Sequence, residues 1–155
     1  MLRPHPRWLT LLAPLLVCAC GYNALDGSID DTHALDFTRT RIVKQDQQLV
    51  VEYLRDSREA VEKVCKLVAR LDGLELPADQ MIELKDADFL QRVGLQRATL
   101  VDNGFPQIES GRLQLDQIVF EHGGTARGLF EVEFETHRSL DGWFDGVIAE
   151  IAPPP

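Results

Sequence analysis

Apolar and polar positions alternate most regularly in the last third of the chain. Leu113 and Leu115 flank Gln114, and Ile118-Val119-Phe120 follows Asp116. Farther on, Phe130, Val132 and Phe134 share one side while Glu131 and Glu133 share the other. A period of two marks a strand with one buried face. His122-Gly123-Gly124-Thr125 and His137-Arg138-Ser139 interrupt the pattern as turns. Strands are therefore expected over 112–120 and 129–134, with a last strand or pair over 140–151. Pro153-Pro154-Pro155 cannot pair and closes the domain.

Earlier in the chain, Leu35–Leu54 reads as a β-hairpin. Thr38, Thr40 and Ile42 fall on one face of a first strand, and Leu49, Val51 and Tyr53 on one face of a second. Lys44-Gln45-Asp46-Gln47-Gln48 is the polar turn between them. The segment 57–71 fits two periods. Val61, Val64, Cys65, Val68 and Leu71 recur at helical spacing, with Asp56 and Glu59 as a capping box and Gly73 as a stop. Val61, Cys65, Leu67, Ala69 and Leu71 alternate as in a strand. The surrounding strands tip the reading to a strand over Lys63–Leu71, with a single helix over 57–71 as the alternative. From Gly73 to Phe105 the apolar pieces are short and divided by Pro77 and Asp79. Val93-Gly94-Leu95 and Ala98-Thr99-Leu100-Val101 suggest two small strands before an Asp102-Asn103-Gly104 turn. The predicted class is mainly β, an antiparallel β-sandwich.

The N-terminus follows a different logic. Arg3 and Arg7 make a short basic region, and Leu9–Val17 is apolar except for Thr10. Nine residues are too few to cross a hydrocarbon layer, which needs about 20, but suit a signal peptide. Pro14 argues against a buried helix there. The run ends in Leu16-Val17-Cys18-Ala19-Cys20-Gly21, which resembles the bacterial lipobox. Cys20 follows the compact Val17, Cys18 and Ala19, whereas Cys18 follows Leu15, Leu16 and a branched Val17. Small residues are required before the acceptor, so Cys20 is the expected lipidation site. This resemblance covers residues 1–21. It implies diacylglyceryl attachment at Cys20 and cleavage before it, an anchor of two or three acyl chains that is effectively stable. Gly21, in place of Asp, implies sorting to the outer membrane. The expected organisation is a cleaved leader over 1–19, an acylated tether over 20–34 and a β-rich domain over 35–152.

Charge and cysteine content narrow the function classes. The 155 residues carry a net charge of −9, and loss of Arg3 and Arg7 leaves 14 basic against 25 acidic residues, or −11. An acidic chain lacks the basic footprint of a nucleic-acid binder. It is equally unsuited to electrostatic binding of anionic lipid. With Cys18 removed and Cys20 acylated, Cys65 is the one thiol left, so no internal disulfide braces the mature chain. Its place among apolar residues points to a buried, inert thiol.

A second resemblance rests on Phe105-Pro106, Ser110-Gly111-Arg112-Leu113, Gly128-Leu129-Phe130 and Leu140-Asp141-Gly142-Trp143-Phe144. This arrangement is similar to small secreted β-sandwich lipoproteins abundant in myxobacteria. Here the turn between the two glycine-aromatic strands is Glu-Thr-His-Arg rather than a glycine turn. The resemblance implies a fold and no activity.

Sites of known chemistry are mostly excluded. Asp26, Ser28 and Asp30 space their oxygens as a calcium loop begins, but Asp31 and Phe37 stand where an EF-hand needs Gly and Glu. His33, His122 and His137 are isolated in sequence and read as solvated turn residues; His5 leaves with the leader. No metal site and no cofactor are assigned. No nucleophile elbow or phosphate-cradling loop is present, so no catalytic residue is assigned. Trp143 and Phe144 are adjacent, so in a strand they point to opposite faces, and one of them is a candidate for a binding surface. The expected function is a membrane-anchored binding or structural module of the cell envelope. Its partners are the membrane, through Cys20, and an envelope protein or glycan. An envelope hydrolase or carbohydrate-active enzyme is the alternative.

Overall fold

The computed structural model describes residues 22–76, 80–99 and 104–149. Cys20 and the leader, Pro77, Asp79, the 102–103 part of the Asn-Gly turn and the terminal prolines lie outside them. The described residues form, in order, β1 (Ala24–Gly27), β2 (Arg39–Gln45), β3 (Gln48–Asp56), β4 (Val61–Arg70), β5 (Ile82–Lys85), α1 (Asp86–Arg92), β6 (Val93–Ala98), β7 (Ile108–Ile118), β8 (Thr125–Phe134) and β9 (Ser139–Ala149). The protein is mainly β, with one short helix among the described residues.

β9 joins the two parts of the sheet. The strand order is β5-β7-β8-β9-β2-β3-β4-β6, curled into a half-barrel. One edge of β9 pairs antiparallel with β8. The other edge is shared by two segments lying end to end. β1 pairs antiparallel with Leu140–Trp143, and β2 pairs parallel with Ile148 and Ala149. Between them the Asn23 side chain takes the place of a strand. The Asp145 N–H donates to Asn23 Oδ1 at 3.0 Å, and Asn23 Nδ2 donates to the Asp145 carbonyl at 3.4 Å. The sheet is therefore mixed. The expected antiparallel arrangement holds for the other described pairings and is broken where β2 runs parallel to β9, because β1 and β2 meet the same edge of β9 in opposite directions.

Alternation selects the core. β8 turns Ala126, Gly128, Phe130, Val132 and Phe134 inward, and β9 turns Leu140, Gly142, Phe144 and Ile148 inward. They meet Leu49, Val51 and Tyr53 of β3 and Cys65, Leu67 and Ala69 of β4. Each large apolar side chain so buried contributes about 1.5–3 kcal/mol. Two inward glycines make room for two inward rings. Gly142 is the cross-strand partner of Phe130, and Gly128 the partner of Phe144. A methyl group at Gly142 would collide with the Phe130 ring, and one at Gly128 would come within 2.9 Å of Phe144 Cζ.

Two local expectations change. Residues 61–70 are strand β4, paired on both edges with β3 and β6, so the helical alternative over 57–71 is overturned. A ladder on each side satisfies that backbone and prevails over weak helical spacing. The supposed capping signal is a tight turn in which Ser57 Oγ donates to the Ala60 carbonyl at 2.8 Å. The helix lies instead at Asp86–Arg92, where its Phe89 is fully buried over Gly111. The span read as a tether also carries structure. From Ala24 it forms β1 and then buries Ile29, which is 1% exposed. Ser28 N–H donates to the Ser139 carbonyl at 2.8 Å, tying this segment to β9.

Candidate ligand-binding face

The two faces of β9 separate Trp143 from Phe144. Phe144 enters the core and is fully buried, so it belongs to no surface. Trp143 points outward and is half-buried. Its cross-strand partners on that face are Leu129 of β8 and Ala24 of β1. They form a small apolar patch on the outside of the sheet.

Two residues along each strand lies a charged row. Register sets Lys85 opposite Arg112, Arg112 opposite Glu131, Glu131 opposite Asp141, and Asp141 opposite Asp26. The row thus runs from two cations to three carboxylates across five strands. Arg112 Nη2 donates to Glu131 Oε1 at 2.7 Å, and its Nη1 lies 3.8 Å from Glu83. Among the described residues neither Asp141 nor Asp26 has a cationic partner. Partial burial pushes the Asp141 carboxyl above the usual aspartate range, and the neighbouring Glu131 and Asp26 add to the rise. Like charges directly opposite across strands destabilise a sheet, so this arrangement carries an energetic cost in the free protein.

Patch and row enclose two adjoining hollows. One, of about 220 Å³, is lined by Ala24, Asp26, Leu129, Glu131, Asp141 and Trp143. The other, of about 430 Å³, is lined by Lys85, Asp86, Ser110, Arg112, Glu133 and Ser139 with Glu131 and Asp141. Both open to solvent. The first combines an aromatic wall with carboxylates, which suits a ligand carrying a positive charge on an apolar stem.

The floor of this face is held from inside. The Tyr53 hydroxyl donates to the Trp143 carbonyl at 2.9 Å. Its ring meets Phe37 and Phe130 edge-on, at centroid distances of 5.1 and 6.3 Å. Burial raises the Tyr53 hydroxyl well above its ordinary pKa, so it remains a donor.

The other residues weighed in the sequence have structural roles. Cys65 is fully buried, and burial raises its thiol far above the usual range, which leaves it unreactive. Asp30 accepts the N–H groups of Thr32 and His33 at 2.8 and 2.7 Å and pairs with buried Arg97 at 3.3 Å. Those bonds, Thr32 first, hold its carboxyl below the usual range. His33 is not a solvated turn residue: it is half-buried, with Nε2 3.4 Å from the Val64 carbonyl. Burial, reinforced by Arg97, lowers its pKa. His122 and His137 are exposed.

Asp26, Glu131 and Asp141 escape sequence reasoning because only the register of three strands brings them together. The weak signal for them is their spacing of two residues from Ala24, Leu129 and Trp143. No family model, curated protein or solved structure matches this chain.

Proposed function

We propose that this protein is a lipid-anchored binding module of the bacterial cell envelope, acylated on Cys20 and held at the outer membrane. The anchoring rests on the lipobox-like residues 16–21 and on the choice of Cys20 over Cys18. The binding role rests on one observation, the outward Trp143 beside Asp141 and Asp26, whose carboxylates have no cationic partner among the described residues. We take the curled sheet to pack in the manner of a β-sandwich. That reading is supported by Tyr53 of β3 reaching Phe130 of β8 and the backbone of β9.

Replacing Cys20 with Ser tests the anchor. Lipid-label incorporation should disappear and the protein should leave the membrane fraction; a Cys20→Ser protein that stays acylated and membrane-bound overturns the reading.

A second reading, an envelope hydrolase, draws on Asp141, since a carboxyl of raised pKa beside ionised neighbours is how an acid catalyst is poised. It requires a glycan-cleaving activity that Asp141→Asn abolishes while the protein stays folded.

A further inference from the structure

We propose that the outer face of β1, β8 and β9 rests on the lipid headgroup layer, with zwitterionic ammonium headgroups seated between Trp143 and the Asp141–Asp26 carboxylates. This rests on the acylation of Cys20 proposed above and names what the Trp143 face binds.

Chain length supplies the first argument. Only Tyr22, Asn23 and Gly21 separate Cys20 from β1 at Ala24. Four fully extended residues reach at most about 14 Å. The headgroup region of one leaflet takes up roughly 5–7 Å of that reach. A domain of this size is about 30–40 Å across, so the leash is shorter than the body it holds. Ala24 is the cross-strand partner of Trp143, about 5 Å away. The anchor therefore draws Trp143 to the bilayer. At β9 the inner face of the sheet is filled by Gly142, Phe144 and the core around them. The outer face is the one left to meet the membrane.

The chemistry of that face supplies the second argument. Tyr22, 71% exposed, and Trp143 are the residue types that settle at the headgroup level, with an apolar ring and one polar group. The carboxylates beside Trp143 complement an ammonium group, which also gains from the indole face. Binding such a group relieves the repulsion among Glu131, Asp141 and Asp26. A hollow of about 220 Å³ has room for an ethanolammonium group and some water. A mature chain of charge −11 is repelled by anionic lipid at the same range. Phosphatidylethanolamine, not a net-anionic lipid, is therefore the matching surface.

The sequence provides its own probe. Trp8 leaves with the leader, so Trp143 is the one tryptophan of the mature chain. The acylated protein would be reconstituted into phosphatidylethanolamine vesicles carrying a spin label either at the headgroup or deep in the acyl chain. The headgroup label should quench Trp143 emission about twofold or more over the deep label. Replacing part of the phosphatidylethanolamine with phosphatidylglycerol should weaken that quenching, as should Asp141→Asn, which keeps the fluorophore. Acylated protein that floats with the vesicles while its Trp143 ignores the headgroup label overturns this proposal and leaves the anchor intact. So does quenching unchanged by Asp141→Asn and by phosphatidylglycerol, or occupation of the face by a basic protein instead. Protein that carries no acyl group and does not float overturns the anchor and this proposal together.

Discussion

Tyr53 and Trp143 lie two strands apart in the sheet, yet the hydroxyl of the first donates to the carbonyl of the second at 2.9 Å. The curl of the sheet allows this contact, which sets the outward position of Trp143 against the buried side of β3. Tyr53→Phe keeps the ring contacts with Phe37 and Phe130 and removes only the donor. It should lower unfolding stability by about 1 kcal/mol. In a urea titration the midpoint should fall with the slope unchanged.

The reciprocal glycine–phenylalanine pairs give a steric prediction. Gly142→Ala places a methyl group in the Phe130 ring and should cost about 1–3 kcal/mol. Gly94 of β6 has no atom within 4 Å of an added methyl. Gly94→Ala should be neutral or stabilising by up to about 1 kcal/mol. In a Phe130→Leu background the penalty of Gly142→Ala should shrink, a coupling that a double-mutant cycle in denaturant measures.

Much of this was legible in the sequence. Alternation located β7, β8 and β9, and it placed Leu49, Val51 and Tyr53 on one face. The glycine-aromatic spacing of Gly128-Leu129-Phe130 and Gly142-Trp143-Phe144 was visible, although their cross-strand reciprocity was not. Register caused that gap: a strand states which side a residue faces, and only its partner states what it faces. The same limit hid the row from Lys85 to Asp26. α1 was missed because seven residues give too few turns for a period, and its anchor Phe89 is matched to Gly111, distant in sequence. The 22–34 segment read as a tether because β1 has four residues and its pairing strand lies at the other end of the chain.

The carboxylate row makes stability depend on pH in a defined direction. The Asp141 carboxyl is raised in the folded state, first by burial and then by Glu131 and Asp26. The native protein therefore holds this proton more tightly than the unfolded chain. Stability from this group is present in acid, where Asp141 is protonated, and is lost as pH rises through its folded value. Asp141→Asn should stabilise the protein at neutral pH by about 0.2–1 kcal/mol. Below the ordinary aspartate pKa of about 3.9 the advantage should vanish, since both states are then protonated. Thermal melts of the two proteins across pH 3 to 8 check this, with pH values chosen about that constant.

Cys65 gives a chemical readout of the core. Its thiol is fully buried on β4 and raised by that burial. In the native protein a thiol reagent should leave Cys65 unmodified, and its labelling should appear with unfolding in denaturant. Cys65→Ser sets a hydroxyl in the same apolar site and should destabilise by about 1–3 kcal/mol.

The proposed lipid anchor stands or falls on what is joined to Cys20. Intact mass spectrometry of the protein extracted from membranes measures it in one step. The proposed anchor predicts a chain that begins at Cys20 and carries two or three acyl chains, with the modification mapped to Cys20. A mature chain that carries no lipid, or that begins elsewhere than Cys20, would contradict it.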